Sequence, residues 1–166
     1  NENWIAHVVS DGSYTDYKEV EQHFCLNNKI KFSTIEGPNN DWGHTARNYG
    51  LKNSTAEWVV MTGADNYYMP DFVSEFIKVS DSDPNYNFIF CDMVHNEAHY
   101  KHYNLLEASL SEGNIDMGCF ATKTKYSKRL KLDVKKYTAD WIFAEKYITL
   151  YPSRINHINK ALYVHN

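Results

Sequence analysis

The chain has 166 residues, a length that suits one domain with a substantial core. Hydrophobic residues make up 43% and aromatic residues 15%, which suits a globular protein with an aromatic-lined cleft, although a Tyr-rich surface would give the same count. The formal net charge is −4 and we recognise no basic run, so nucleic acid is not an expected partner. No apolar run is long enough for a membrane span.

Strands and helices alternate in the first half of the predicted structure. Apolar alternation and apolar runs predict strands over residues 4–9, 29–35, 57–62 and 87–94. Turn-spaced apolar residues predict helices over residues 15–25 and 70–79, and a turn led by Gly43 predicts a further helix over 44–53. This order predicts an α/β fold with a mainly parallel central sheet and helices on both faces.

The pattern changes after Val94. We predict a strand pair over 95–106, a loop over 111–118, a short strand over 119–122, a helix over 138–150 and a terminal strand over 155–165. These elements predict a smaller, mixed C-terminal part within a single domain of residues 1–166.

Cysteine usage argues against a disulfide framework or a zinc–thiolate site. The three cysteines are odd in number, lie far apart and include no Cys-x-x-Cys pair. A reducing compartment is the expected setting. Cys91 follows an apolar run and is expected in the core, where a free thiol packs as a small hydrophobe.

Residues 43–72 carry the strongest indication of a site. A turn led by Gly43 opens a helix that holds Arg47 and Asn48, and the next strand ends in Gly63-Ala64-Asp65-Asn66. Open α/β sheets hold ligands beyond their strand ends, and an Arg offers a planar fork for phosphate. The stretch therefore suggests a site for a metal-bound phosphorylated ligand.

Four segments, in the same order, resemble the family 2 glycosyltransferases, which have the GT-A fold. Residues 10–13 resemble the family's Asp-Asp-Gly-Ser, 43–51 its Gly-x-x-x-Ala-Arg-Asn-x-Gly-Leu helix, 64–66 its Asp-Ala-Asp-Asp, and 139–141 its Glu-Asp-Trp. The resemblance covers most of the chain and implies a GT-A-like fold, with residues 1–94 as the nucleotide-binding half and 95–166 as the acceptor-side half.

The resemblance also implies roles for single residues. Asp140 would be the catalytic base, Asp65 the metal ligand and His165 a late histidine ligand to the same metal. Residues implied in substrate or nucleotide binding are Asp11, Arg47, Asn48, Asn66, Gly118, Cys119 and Trp141. Each carboxylate has a structural alternative, because Asp11 and Asp65 also suit turns and Asp140 also suits the start of a helix.

The implied enzyme is a glycosyltransferase of hexosyltransferase type, inverting and dependent on Mn²⁺ or Mg²⁺. Its donor would be a nucleoside diphosphate sugar, with a UDP-sugar favoured, and its acceptor a hydroxyl group on a glycan or a lipid-linked saccharide. The expected location is cytoplasmic, either free or at the membrane surface.

Departures from the family pattern keep an alternative open. Gly63 replaces the first Asp of Asp-x-Asp, and Ala139 replaces the Glu before Asp140. Only nine residues precede Ser10, where the family has a strand and a helix, so either an upstream segment is missing or the fold is trimmed. These departures favour a non-catalytic sugar- or nucleotide-binding module as the alternative. A nucleotidyltransferase is disfavoured because no Gly-rich phosphate loop with a Lys follows the first strand.

A zinc site is a further alternative. His95, His99 and His102 have spacings that could bind zinc on a helix. The segment follows a predicted strand, however, and its Glu97 does not match the His-Glu-x-x-His pattern.

Overall fold

A computed structural model describes residues 3–96 and 102–166. Its first unit is a parallel β-α-β arrangement, in which β1 (Ala6–Asp11) pairs with β2 (Ile30–Ile35) and α1 (Thr15–Phe24) connects them. No residue of α1 is buried. The helix places Asp16 in its first turn, where a negative charge suits the helix dipole. These three predicted elements are confirmed.

Helix α2 (His44–Asn53) begins after a turn with left-handed backbone. Asn40 and Trp42 have φ of 53° and 57°, and Gly43 has 79°. The Asp41 carboxylate accepts hydrogen bonds from the backbone N–H and the hydroxyl of Thr45. It thereby satisfies one of the free N–H groups of the first helical turn. The predicted Gly-led turn and helix are confirmed.

The remaining strands form a six-stranded sheet. They are β3 (Trp58–Val59), β4 (Tyr67–Tyr68), β5 (Tyr86–Asn96), β6 (Tyr103–Leu106), β7 (Phe120–Lys123) and β8 (Arg154–His165). The order is β3-β7-β5-β8-β4, with β6 also pairing with β5. The accompanying helices are α3 (Phe72–Ser82), α4 (Thr124–Ser127) and α5 (Ala139–Leu150), and a 3₁₀ turn spans Met117–Cys119.

The pairing within this sheet is mixed. β5 and β8 run parallel, with a register that ends in His95 opposite His165. The other pairings of the sheet are antiparallel. The predicted α/β class is confirmed, but within residues 3–96 and 102–166 the only parallel pairs are β1–β2 and β5–β8, so fewer strands pair in parallel than expected. The reason is that the C-terminal strands β7 and β8 both lie beside β5, β7 antiparallel to it and β8 parallel.

The core lies around β5, whose residues 87–93 are all buried. Phe88 stacks on Phe120 at 4.9 Å between ring centroids. The hydroxyl of Tyr147 on α5 donates to the carbonyl of Asn87 and accepts from the N–H of Lys123, so it joins β5 to β7. Cys91 is fully buried, as predicted. Each fully buried large apolar side chain stabilises the fold by roughly 1.5–3 kcal/mol.

Several elements differ from prediction. The strand expected over 57–62 spans only Trp58–Val59 and lies at an edge of the described sheet. β4 and α4 were not predicted, because two exposed tyrosines and a four-residue helix give no periodic pattern. His99 of the zinc alternative lies outside the described residues, as does the middle of the predicted strand pair, residues 97–101. Among the described residues, no helix has the length and apolar character needed to cross a membrane.

Candidate active site

A cleft opens where the N-terminal half of α2 faces the ends of β5 and β8 and the start of α5. Polar and aromatic side chains dominate its lining. They are Trp42, His44, Arg47, His95, Asp116, Tyr137, Thr138, Asp140, Trp141 and His165. Of the residues predicted from sequence, the cleft brings together Arg47, Asp140, Trp141 and His165.

Asp140 lies in the first turn of α5 and faces this cleft. The backbone N–H of Trp141 donates to its Oδ1 at 2.7 Å. Burial raises the pKa of the Asp140 carboxyl, and the negative charge of Asp116 raises it further. A carboxylate with a raised pKa is a stronger proton acceptor once it is ionised. The environment of Asp140 therefore suits a base, and its role stays a prediction.

Asp116 belongs to the cleft and was missed by the sequence reasoning. Its Oδ1 accepts hydrogen bonds from the Tyr163 hydroxyl at 2.6 Å and from the Gly118 N–H at 2.8 Å. Its Oδ2 lies 3.5 Å from Nε2 of His165. A signal existed in the sequence, since Asp116 stands two residues before Gly118, which was predicted to bind substrate or nucleotide. Its partners on β8 are visible only in the fold.

His165 ends β8 and stacks on His95, with ring centroids 5.0 Å apart. Its Nδ1 is buried and has no hydrogen-bond partner within the described part of the chain. A buried nitrogen without a partner costs free energy unless a ligand or water satisfies it. His165 therefore has one ring nitrogen beside Asp116 and one available to a further group.

Arg47 connects the left-handed turn to the cleft. Its Nη1 donates to the Trp42 carbonyl at 2.6 Å, and its Nε is buried without a partner among residues 3–96 and 102–166. A Cβ added at Gly63 would lie 3.7 Å from Arg47 Nη2 and 2.6 Å from Asp65 Oδ1. Arg47 and the Asp65 carboxylate thus flank the same glycine.

Asp65 and Asn66 lie beside the cleft rather than in its lining. The Asn166 side chain donates to the Asp65 carbonyl at 2.6 Å, and the Asn166 N–H donates to the Asn66 Oδ1 at 3.0 Å. These bonds fix the loop against the residue that follows His165. The Asp65 residue is exposed. The described residues contain no group of three or more His, Cys, Asp or Glu side chains arranged to hold a metal ion.

Asp11 and Asn48 are engaged with the protein itself. Asp11 accepts from the backbone N–H and the side-chain amide of Asn39, which fixes the loop after β2. The Asn48 amide donates to the Leu132 carbonyl at 3.1 Å and accepts from the Leu132 N–H at 2.9 Å. Neither residue lines the cleft. In this structure both anchor loops, and nucleotide contacts by either residue stay a prediction.

Gly118 and Cys119 shape the wall behind Asp116. A Cβ at Gly118 would overlap the ring of Tyr163. Cys119 is fully buried, its Sγ donates to the Asp116 carbonyl, and burial raises the pKa of its thiol. Both residues support the position of Asp116, and neither lines the cleft.

The α/β fold and a cleft at strand ends that holds carboxylates and an arginine define a GT-A-like protein. The family model described as glycosyl transferase family 2 matches residues 1–139. The chain belongs to this family. A curated relative, an uncharacterized glycosyltransferase of Haemophilus influenzae, is 28% identical over 91 residues, which are 52% of this chain and 30% of the relative.

Solved structures share the fold. S. aureus TarS, residues 1–349, superposes with a TM-score of 0.79 at 17% identity, covering 99% of this chain and 51% of TarS. The complex of TarS 1–349 with UDP gives 0.76 at 18% identity, covering 98% of this chain and 51% of TarS. The mannosyltransferase PcManGT of Pyrobaculum calidifontis, in complex with GDP-Man and Mn²⁺, gives 0.68 at 19%, covering 97% of this chain and 47% of PcManGT. The chain spans about half the length of TarS 1–349 and of PcManGT, 31% of a longer TarS chain, and less of the curated relative.

Proposed function

We propose that this chain carries the catalytic centre of an inverting glycosyltransferase that moves a hexose from a nucleoside diphosphate sugar to a hydroxyl acceptor. The observation that carries the proposal is the cleft itself. It sets a partly buried carboxylate, Asp140, and a guanidinium, Arg47, around one space in a fold that belongs to a glycosyltransferase family.

Asp140 would accept the proton of the acceptor hydroxyl. The acceptor oxygen then forms a bond to the anomeric carbon, while the bond between that carbon and the diphosphate breaks and its electron pair leaves with the diphosphate. A second negative charge at Asp116, held by Tyr163 and Gly118, favours the protonated form of Asp140 and so strengthens it as a base.

Arg47 would face the diphosphate. Its buried Nε has no partner among the described residues, and a guanidinium forms charge-assisted hydrogen bonds to phosphate oxygens. Trp141 offers a ring face in the cleft against which a sugar could pack. Asn66, held by Asn166, would keep the Asp65 loop in position.

The residues present fit a divalent cation. Mg²⁺ and similar hard cations need only one or two protein carboxylates, because substrate phosphates and water complete their coordination. Asp65 would supply an exposed carboxylate, and His165, one residue from the Asn166 that bonds the Asp65 loop, would supply a ring nitrogen that has no partner among the described residues. Mn²⁺ or Mg²⁺ held there would offset the negative charge of the leaving diphosphate.

The donor is proposed to be a UDP-sugar, a choice supported by the UDP complex of TarS; the GDP-Man complex of PcManGT keeps a GDP-sugar in the test. The acceptor would be a glycan or a lipid-linked saccharide on the cytoplasmic side.

A two-step experiment tests the proposal. Thermal-shift measurements with UDP and GDP, each with and without Mn²⁺, identify the nucleotide, and donor turnover is then measured with the matching nucleotide sugars. Mn²⁺-dependent stabilisation followed by turnover supports the enzyme. Binding without turnover would instead support the non-catalytic module that Gly63 and Ala139 favour. The absence of both binding and turnover would contradict the enzyme and the module alike.

A further inference from the structure

Residues 125–136, named here the basic segment, concentrate positive charge on an otherwise acidic chain. Six residues of the segment are basic and one, Asp133, is acidic, a formal charge of +5. The rest of the chain has 11 basic and 20 acidic residues, a formal charge of −9. The expectation that the chain lacks a basic run is therefore wrong, because the overall charge of −4 hides this segregation.

The six cations of the segment are exposed. They are Lys125, Lys128, Arg129, Lys131, Lys135 and Lys136. The Nζ of Lys125 lies 4.7 Å from the centroid of the Tyr126 ring. None forms an ion pair with a residue of the described part of the chain. Elsewhere Lys123 pairs with Glu57 and Lys160 with two carboxylates. Six like charges side by side repel one another unless an anionic partner offsets them.

The segment is fixed beside the cleft. Leu132 is buried at its centre, and the Asn48 amide bonds both backbone groups of Leu132. His44, in the first turn of the same helix, bonds the carbonyl of Lys136 through Nε2 at 3.1 Å. Helix α2 therefore holds the basic segment and, through Arg47, also lines the cleft.

Exposed apolar and aromatic side chains accompany the charges. Val134 is 38% exposed, and Tyr137, directly after the segment, is 73% exposed. Tyr137 contacts Trp42, which is 54% exposed, with ring centroids 5.8 Å apart. Lysines mixed with exposed Trp and Tyr are typical of surfaces that lie in a bilayer interface, where aromatic rings sit at headgroup level. A soluble polyanion would need only the charges.

We propose that the basic segment, with Tyr137 and Trp42, is the docking surface for an anionic lipid bilayer. The cations would contact lipid phosphates, and the two rings would enter the headgroup layer. Because both rings line the cleft, docking would turn its mouth toward the bilayer, while the acidic remainder of the chain would be repelled. The inference rests on charge, exposure and anchoring, and does not depend on the proposed function.

Vesicle co-sedimentation tests the proposal. The chain should bind vesicles of phosphatidylglycerol and phosphatidylcholine and should not bind phosphatidylcholine alone. The triple variant Lys128→Glu, Arg129→Glu, Lys131→Glu should weaken binding on the order of a hundredfold, because each basic residue near an anionic surface contributes roughly 1 kcal/mol. Tyr137→Ala should weaken it several-fold through lost interfacial contact.

A matched control separates the segment from net charge. Lys18→Glu, Lys78→Glu and Lys146→Glu change the same number of exposed basic residues, on α1, α3 and α5, and should leave vesicle binding within about threefold. Circular dichroism checks that both triple variants are folded. The assay contains no nucleotide, so its outcome is independent of glycosyl transfer.

Three results would overturn the proposal. One is no binding of the unmodified chain to anionic vesicles. Another is an equal loss in the control variant, which would assign the effect to overall charge. The third is equal weakening of vesicle and inorganic polyphosphate binding in the segment variant, with no effect of Tyr137→Ala on vesicles. That result would identify a site for soluble polyanions, nucleic acid included.

Discussion

Asn48→Ala tests whether the side-chain amide of Asn48, on α2, anchors the loop over residues 128–138. In the structure Asn48 makes two hydrogen bonds to the backbone of Leu132, a residue that is only 3% exposed. The alanine variant removes both bonds and leaves a buried N–H and a buried carbonyl without their partner. Such groups cost more than the net value of the bonds they have lost.

The expected loss is about 2–4 kcal/mol of unfolding free energy. Two unsatisfied backbone groups would cost roughly 1–3 kcal/mol each, less whatever water can reach them, and the better helix propensity of Ala returns about 0.5 kcal/mol. For a protein of this size, a change of that order lowers Tm by roughly 5–15 °C.

Denaturant unfolding followed by circular dichroism measures this loss. Asn53→Ala is the matched control on the same helix, because Asn53 is exposed and donates a single bond to the Tyr49 carbonyl. The control should change stability by no more than about 0.5 kcal/mol. Equal stability of Asn48→Ala and wild type would refute the anchoring role and return Asn48 to the list of candidate nucleotide ligands.

Three further predictions concern the cleft. Gly118→Ala should lower the unfolding free energy by about 1–3 kcal/mol, since its new methyl group would overlap the Tyr163 ring; calorimetry or denaturant unfolding measures it. Asp65→Ala should abolish Mn²⁺-dependent binding of UDP, measured by calorimetry, and leave Tm unchanged, because the residue is exposed. Turnover should fall as pH drops through the raised pKa of Asp140, and Asp116→Asn should move that acidic limb to lower pH, because it removes the neighbouring charge that raises this pKa.

Each of the three cleft variants has its own control and its own contradicting result. Gly50→Ala should be neutral or stabilising, since its Cβ would meet Val9 at an ordinary 3.6 Å; a Gly118 variant as stable as Gly50→Ala would contradict the packing argument. Asp81→Ala, exposed on α3, should keep full UDP binding. Unchanged UDP affinity in Asp65→Ala would make Asp65 a turn residue. If Asp116→Asn leaves the acidic limb of the pH–turnover profile unchanged, that limb does not report the ionisation of Asp140.

The raised pKa of Asp140 also predicts how the unfolding free energy depends on pH. A carboxyl whose pKa is higher in the folded than in the unfolded state stabilises the fold at pH below the unfolded value, and this contribution is lost as pH rises through the folded pKa. Asp140→Asn should therefore be relatively more stable than wild type at neutral pH, with the difference shrinking in acid. Urea unfolding at several pH values measures it, and a difference that grows in acid would contradict the assignment.

Sequence patterns over short stretches predicted the helices and strands whose formation depends on neighbouring residues. The first β-α-β unit and α2 follow from apolar periodicity and a Gly-led turn, and the structure has them within a few residues. Arg47 and Asp140 were identified because their motifs are short and contiguous. The cleft holds both, together with Trp141 and His165.

Long-range contacts were beyond reach of the sequence. The Asn48 side-chain amide hydrogen-bonds to the backbone of Leu132, 84 residues later, and the Asp116 carboxylate accepts a hydrogen bond from Tyr163, 47 residues later. Nothing in a periodic pattern specifies either pairing, so Asn48 was interpreted as a ligand and Asp116 was overlooked. The basic segment was visible in the sequence, but the acidic total concealed it, and only the structure shows that its cations are exposed and form no ion pair with the described residues.

The most direct test of a catalytic centre in this cleft is turnover of the nucleotide sugar by Asp140→Asn, beside wild type and Asp81→Asn. The change keeps the shape of the side chain and removes the proton acceptor, so kcat should fall at least about a hundredfold while donor affinity stays within about threefold. Asp81→Asn, exposed on α3, should match wild type. Normal turnover by Asp140→Asn would contradict the account.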